Sequence, residues 1–306
     1  MLNILGRSMS FGFVSVLILA GSSAFGQSVE REMVVSVLDR DGVPAAGLTP
    51  SDFIVREDGA AREVLRVSQN PVERQIALLV DTSQAAGQSI GDFRRAATSF
   101  VENMSEGNQL SIIAFGERPQ ILTEATSSLK KLQDGVNGLF SYQQSASYLI
   151  NAVSETTRGF EGAKAKRPVI VVMTTLGVDY SDRDARPTIR RLQKAGVAMY
   201  AIVLNDLSRS AAANRQGGLG RAELQDRLRE RDILLDQGPR LSGGRRRDLQ
   251  SSMGSVRAVQ DLANDLRSQY VIVYSRPNTL IQPERIEVEV NRDDLDARGT
   301  PIGVDD

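Results

Sequence analysis

The chain has 306 residues, 41% hydrophobic and 25% charged, with 37 Lys+Arg against 38 Asp+Glu and a net charge of −1. This is globular composition, enough for one or two domains, and it lacks the basic excess of a nucleic-acid binder. There is no histidine and no cysteine, which excludes Ser-His and Cys-His catalysis, His- or Cys-ligated zinc, disulfides and thiol redox chemistry. What remains is carboxylate or Ser-Lys chemistry, an oxygen-ligated metal, or no catalysis.

The first stretch reads as a secretory signal. Arg7 supplies the positive end, residues 11–20 a short apolar run, and Ala24-Phe25-Gly26 small residues at the two cleavage-defining positions. The run falls short of the roughly 20 apolar residues a spanning helix needs. The expectation is therefore a signal peptide over 1–26, a mature chain from Gln27, and an exported protein, periplasmic or extracellular, with no transmembrane anchor after cleavage.

Residues 27–70 read as a β-rich module. Strands are predicted over 32–38, 53–56 and 62–67, with turns at 39–42 and a hairpin at Asp58-Gly59. Three short strands bury too little apolar surface alone. The alternating stretch 285–290 is expected to complete the module, within 278–292.

From residue 71 the period changes. Continuous apolar runs at 76–80, 168–173 and 197–204 read as strands buried on both faces, with a further strand at 109–115. Helical spacing over 89–104, 126–132, 147–157 and 184–195 separates them. The result is an α/β fold, a doubly wound, mostly parallel sheet with helices on both faces, over 71–277. Residues 206–252, rich in Arg, Gly and Ser, break the rhythm. They are expected to form an insertion, mobile at its ends, with a helical patch at 223–235. Arg245-Arg246-Arg247 within it is read as a solvated run. A last helix over 255–267 and a strand over 270–274 close this domain, and 293–306 is expected to fray.

The strand at 76–80 ends on Asp81, Thr82 and Ser83, where ligands sit in open α/β sheets. These are hard oxygen donors suited to Mg²⁺ or Ca²⁺; equally, Asp81 and Ser83 suit the cap of the next helix. The arrangement resembles the von Willebrand factor type A domain, whose metal-ion-dependent adhesion site begins Asp-x-Ser-x-Ser. The segment Asp52-Phe53-Ile54-Val55-Arg56-Glu57-Asp58-Gly59 resembles the Asp-Phe-x-Val-x-Glu-Asp-Gly of secreted bacterial von Willebrand factor type A-related proteins, and Gln269 with the strand after it fits the same group.

The resemblance implies a metal site only partly kept. Asp81 and Ser83 match, the second Ser falls at Ala85, and Ser147 stands for the Thr of Gly-Gly-Thr-x-Leu. The family's second Asp falls at Thr175 or Leu176, with Asp179 or Asp182 nearby in the same loop. Metal ligands are thus Asp81, Ser83 and Ser147, a weak or vestigial site for Mg²⁺ or Ca²⁺. The implied function is a non-catalytic interaction module binding a protein or glycan partner through Asp81, Thr82, Ser83, Ser147, Thr175 and Asp179. Two other readings stand beside it. One is a scaffold subunit of an envelope assembly. The other is a hydrolase using Ser127-x-x-Lys130 or the acids Glu155 and Glu161; it lacks the companion motifs of serine acyl-transferases.

Overall fold

The computed structural model describes residues 28–69, 73–205, 220–278, 283 and 285–301. The signal segment and residues 206–219 lie outside them. The described residues open with β1 (Ser28–Asp39), β2 (Phe53–Glu57), β3 (Ala60–Arg62) and β4 (Val64–Ser68). The α/β part follows: β5 (Gln75–Val80), α1 (Ile90–Met104), β6 (Gln109–Ala114), β7 (Gln120–Thr126), α2 (Leu129–Asn137), α3 (Leu149–Gly162), β8 (Val169–Thr175), α4 (Ala185–Lys194) and β9 (Ala198–Leu204). After it come α5 (Arg221–Ser242), β10 (Arg246–Leu249), α6 (Ser255–Ser268), β11 (Tyr270–Pro277), β12 (Ile286–Val290) and β13 (Leu295–Pro301).

Six strands form the main sheet in the order β10-β9-β8-β5-β6-β7. All neighbours are parallel except the edge pair β6–β7. The pleat sends Ile76, Leu78 and Val80 of β5 to one face, against α1, α2 and α6. Ala77 and Leu79 go to the other, against α3, α4 and α5. An unbroken apolar run is what this double burial requires.

A second core lies between a four-stranded sheet, β13-β1-β11-β4, and a three-stranded sheet, β12-β2-β3. Met33, Val35, Phe53, Val55, Ile272 and Tyr274 fill it. The Asp52-to-Gly59 segment is built into this module residue by residue. Asp52 accepts the Thr49 amide at 2.7 Å, Phe53 packs edge-on against Tyr270, and Val55 is fully buried. Asp58 and Gly59 take positive φ of 48° and 82°, the geometry of a tight hairpin turn.

Three expectations differ from the structure. Residues 270–274, assigned to the α/β sheet, form β11, which pairs with β1 and β4 instead. The run is apolar because β11 is also buried on both faces, and burial on both faces does not say in which sheet. Of the tail at 293–306, expected to fray, Leu295–Pro301 form β13, antiparallel to β1, and 302–306 lie outside the described residues; an edge strand is held by backbone hydrogen bonds that leave no hydrophobic pattern. Within 206–252, the described residues form the 22-residue α5 and the edge strand β10. Among the described residues, no helix is long and apolar enough to cross a membrane.

Candidate functional site

Asp81 follows β5 at the carboxyl edge of the sheet, and its amide donates to the Met173 carbonyl at 2.9 Å, prolonging the β5–β8 ladder. Its side chain is completely buried. Oδ1 accepts the Ser83 amide at 3.0 Å, closing a local turn, and Oδ2 accepts the Thr174 hydroxyl at 2.5 Å. Ser83 stands at the N-cap position of the short 3₁₀ turn that follows, without a capping bond from its side chain.

Asp179 is buried on the loop after β8. Its Oδ2 accepts the Leu149 amide at 2.7 Å and its Oδ1 the Ser181 amide at 3.0 Å. Residue 148, which stands at the N-cap of α3, is a tyrosine with no capping oxygen there. A carboxylate from a distant loop therefore satisfies that helix start, where its charge also suits the helix dipole.

Between the two carboxylates lies Arg231 of α5, 1% exposed. Nη2 is 3.3 Å from Asp81 Oδ2 and Nη1 is 3.4 Å from Asp179 Oδ2. Nη1 donates to Ser147 Oγ at 2.8 Å, and Nη2 to Thr174 Oγ1 at 2.5 Å and the Thr175 carbonyl at 2.7 Å. The helix packs beside the sheet with Arg231, Leu234, Leu235, Gly238 and Ser242 on its buried stripe. One residue of that stripe is a cation because it faces the acid end of the strands.

The six sequence-predicted partner residues are therefore brought together at one place, but all are buried. Ser147 and the Thr175 carbonyl are bound to Arg231. Thr82 is packed so closely that a Cβ on Gly116 would come 2.6 Å from its backbone. The hydroxyls of Ser83 and Thr175 are buried without a hydrogen-bond partner. Asp182 is exposed on the loop.

A divalent ion bound by Asp81 and Ser147 would need to stand about 2.0–2.6 Å from their oxygens, against the guanidinium that already contacts both. The residues present do not fit a metal while Arg231 is in place. Among the described residues, no group of three or more acidic side chains is gathered to hold one.

Above the centre opens a cleft of about 1180 Å³ whose floor includes Asp81, Ser83, Ser147 and Arg231. Its rim carries neutral amides, Gln84, Gln88, Gln143 and Gln144, and the exposed rings of Phe140 and Tyr142. Arg94 lies 5.0 Å over Phe140 and supports that side.

The hydrolase candidates Ser127, Lys130, Glu155 and Glu161 are all exposed. Lys130 is exposed and pairs with Asp134 at 3.3 Å, and Glu161 pairs with Arg191 at 2.7 Å. The basic run is neutralised, with Arg245 on Asp296, Arg246 on Asp248 and Arg247 on Asp261.

Residues 75–217 match the family model of the von Willebrand factor type A domain. The chain carries a von Willebrand factor type A domain. No curated protein matches the sequence. Among solved structures, a von Willebrand factor type A protein from Catenulispora acidiphila is similar at 10% identity and TM-score 0.48, over 91% of this chain and 74% of that one. BatB from Bacteroides thetaiotaomicron is similar at 13% identity and TM-score 0.45, over 64% and 100%. Proximal thread matrix protein 1 from the mussel byssus, with a zinc-occupied metal-ion-dependent adhesion site, is similar at 13% identity and TM-score 0.48, over 71% and 50%. In the type A domain of this chain, Asp81, Ser147 and Asp179 surround Arg231.

Proposed function

We propose that this protein is a non-catalytic interaction module that binds a protein partner through the cleft over the carboxyl edge of its type A sheet, without a metal ion. The observation that carries this reading is Arg231. It meets both buried carboxylates and the Ser147 hydroxyl, so no metal is needed to hold the edge loops together. Contact then falls to the rim, where Tyr142 and Phe140 offer exposed rings and the glutamines offer neutral hydrogen bonds. Aromatic groups amid such polar contacts are what transient interfaces use. A glycan partner would use the same groups. The segment 1–26, read as a secretory signal, supports an exported protein working in the periplasm or outside the cell.

The test is capture from an envelope extract on immobilised protein, in EDTA and in Mg²⁺, with wild type and with Tyr142→Ala/Gln144→Ala. Equal capture in both buffers and loss with the rim variant are expected. Capture that requires Mg²⁺, or survives the rim variant unchanged, contradicts the reading, as does turnover on an esterase or glycosidase substrate panel.

A further inference from the structure

The guanidinium of Arg231 is held by five oxygens: Oδ2 of Asp81, Oδ2 of Asp179, the hydroxyls of Ser147 and Thr174, and the Thr175 carbonyl. All are hard donors of the kind that bind Mg²⁺ or Mn²⁺. Two carboxylates against one guanidinium leave a formal charge of −1 in a place where neither acid is more than 2% exposed. The arginine is itself incompletely satisfied, since its Nε is buried without a partner. The Ser83 hydroxyl, 2% exposed, also lacks a partner and lies on the floor of the open cleft.

We propose that Arg231 is the resident cation of this centre, and that the same oxygens form a divalent-cation site once the guanidinium is removed. Taking the arginine away leaves two buried carboxylates whose charge must be balanced by protons or by a cation. Ser83 supplies a free oxygen beside them, and the cleft supplies the route in. The chain has thus exchanged an ion drawn from solution for a side chain carried on α5. The exchange makes the centre indifferent to metal supply and ties that helix to the sheet edge. A purely structural tie between α5 and the sheet would not predict any gain of ion binding.

The test uses the purified full chain and Mn²⁺, whose binding is read by electron paramagnetic resonance of the free ion and by melting in EDTA and in Mn²⁺. Wild type is expected to take up no Mn²⁺ at this centre and to melt identically in both. Arg231→Ala is expected to bind one Mn²⁺ at least about tenfold more tightly than wild type, within the range of oxygen-ligated sites, and to melt higher in Mn²⁺ than in EDTA. Adding Asp81→Asn should abolish both effects. Should Arg231→Ala be unfolded in EDTA, recovery of its circular dichroism by Mn²⁺ supports the proposal equally. Arg231→Met/Asp179→Asn, which keeps the wild-type formal charge, is the reference for folding and should ignore Mn²⁺. Wild-type Mn²⁺ uptake that Asp81→Asn removes would overturn the proposal. So would an Arg231→Ala protein that Mn²⁺ neither stabilises nor folds. The readout is ion binding by the isolated chain, so its failure is separate from failure to capture a partner.

Discussion

Two carboxylates in this molecule are buried at strand ends, and each is met by arginine, yet they serve opposite ends. Glu57 closes β2 in the small module and is 2% exposed. It accepts from Arg62 at 2.9 Å and from the Tyr274 hydroxyl at 3.0 Å, with Arg276 at 3.7 Å. Burial, with the adjacent Glu57 charge, pushes the Tyr274 hydroxyl above its ordinary value, so it stays protonated and donates. Here two arginines surround one acid, Arg62 lies five residues away across a hairpin, and strands enclose the group. At Asp81 one arginine serves two acids, it comes from 150 residues further along the chain, and a cleft opens above it. The first centre ties the β2–β3 hairpin to β11, whose Tyr274 is 217 residues from Glu57, inside one small core. The second joins α5 to the edge of the main sheet, and of the two only it has an unpartnered hydroxyl, that of Ser83, lining an opening.

The sharpest way to break this contrast is Arg231→Met. It leaves Asp81 and Asp179 without their cation in a buried site, and truncation of one partner in such a pair costs about 3–5 kcal/mol. Urea unfolding in EDTA measures it, and a loss below about 1 kcal/mol would show that the pairs are not coupled to the fold. Glu57→Gln should cost less, about 1–3 kcal/mol, because Arg62 is already 22% exposed at its side chain and can turn to water. If Glu57→Gln proves the more damaging, the ranking of the two centres is wrong.

A smaller effect separates both centres from a further buried acid. Asp265 of α6 accepts the Ser36 hydroxyl of β1 at 2.6 Å and so links the two cores. Burial raises its pKa above the ordinary 3.8, opposed by that hydrogen bond and by Arg245 and Arg74. An acid whose pKa is higher in the folded state takes up protons on folding. The stability it contributes is complete below pH 3.8 and is lost as pH rises through the folded-state value. Asp265→Asn, which cannot ionise, should therefore gain on wild type in melting temperature as pH rises from about 3 to about 6. A difference independent of pH would show that Asp265 is ionised in the folded protein at an ordinary pKa.

Much of the frame was legible locally. The runs at 76–80 and 197–204 announced central strands because burial on both faces demands unbroken apolar residues. Asp58-Gly59 announced its hairpin because few residue pairs accept two positive φ angles. Asp81 and Ser83 were singled out by their place at the end of a strand, and Ser147 by its correspondence to the Thr of the type A family's Gly-Gly-Thr-x-Leu. The edge strands β7 and β13 were not found, since a half-exposed strand held by backbone bonds needs no apolar alternation. Arg231 was not singled out either, although one signal was present. It stands three and four residues before Leu234 and Leu235, on a helical stripe that a solvated arginine would avoid.

By itself, the sequence determined which segments are buried, where the β5 strand must end, and that a carboxylate with hydroxyls stands there. These are properties of neighbours along the chain, set by side-chain period and turn chemistry. Only the tertiary structure decided what balances that carboxylate. Charge compensation in a buried site depends on distance in space, and the residue that supplies it, Arg231, lies in a stretch that breaks the strand–helix rhythm. The same holds for β11, whose composition required burial on both faces while its hydrogen-bond partners, β1 and β4, were chosen by the packing of the whole chain.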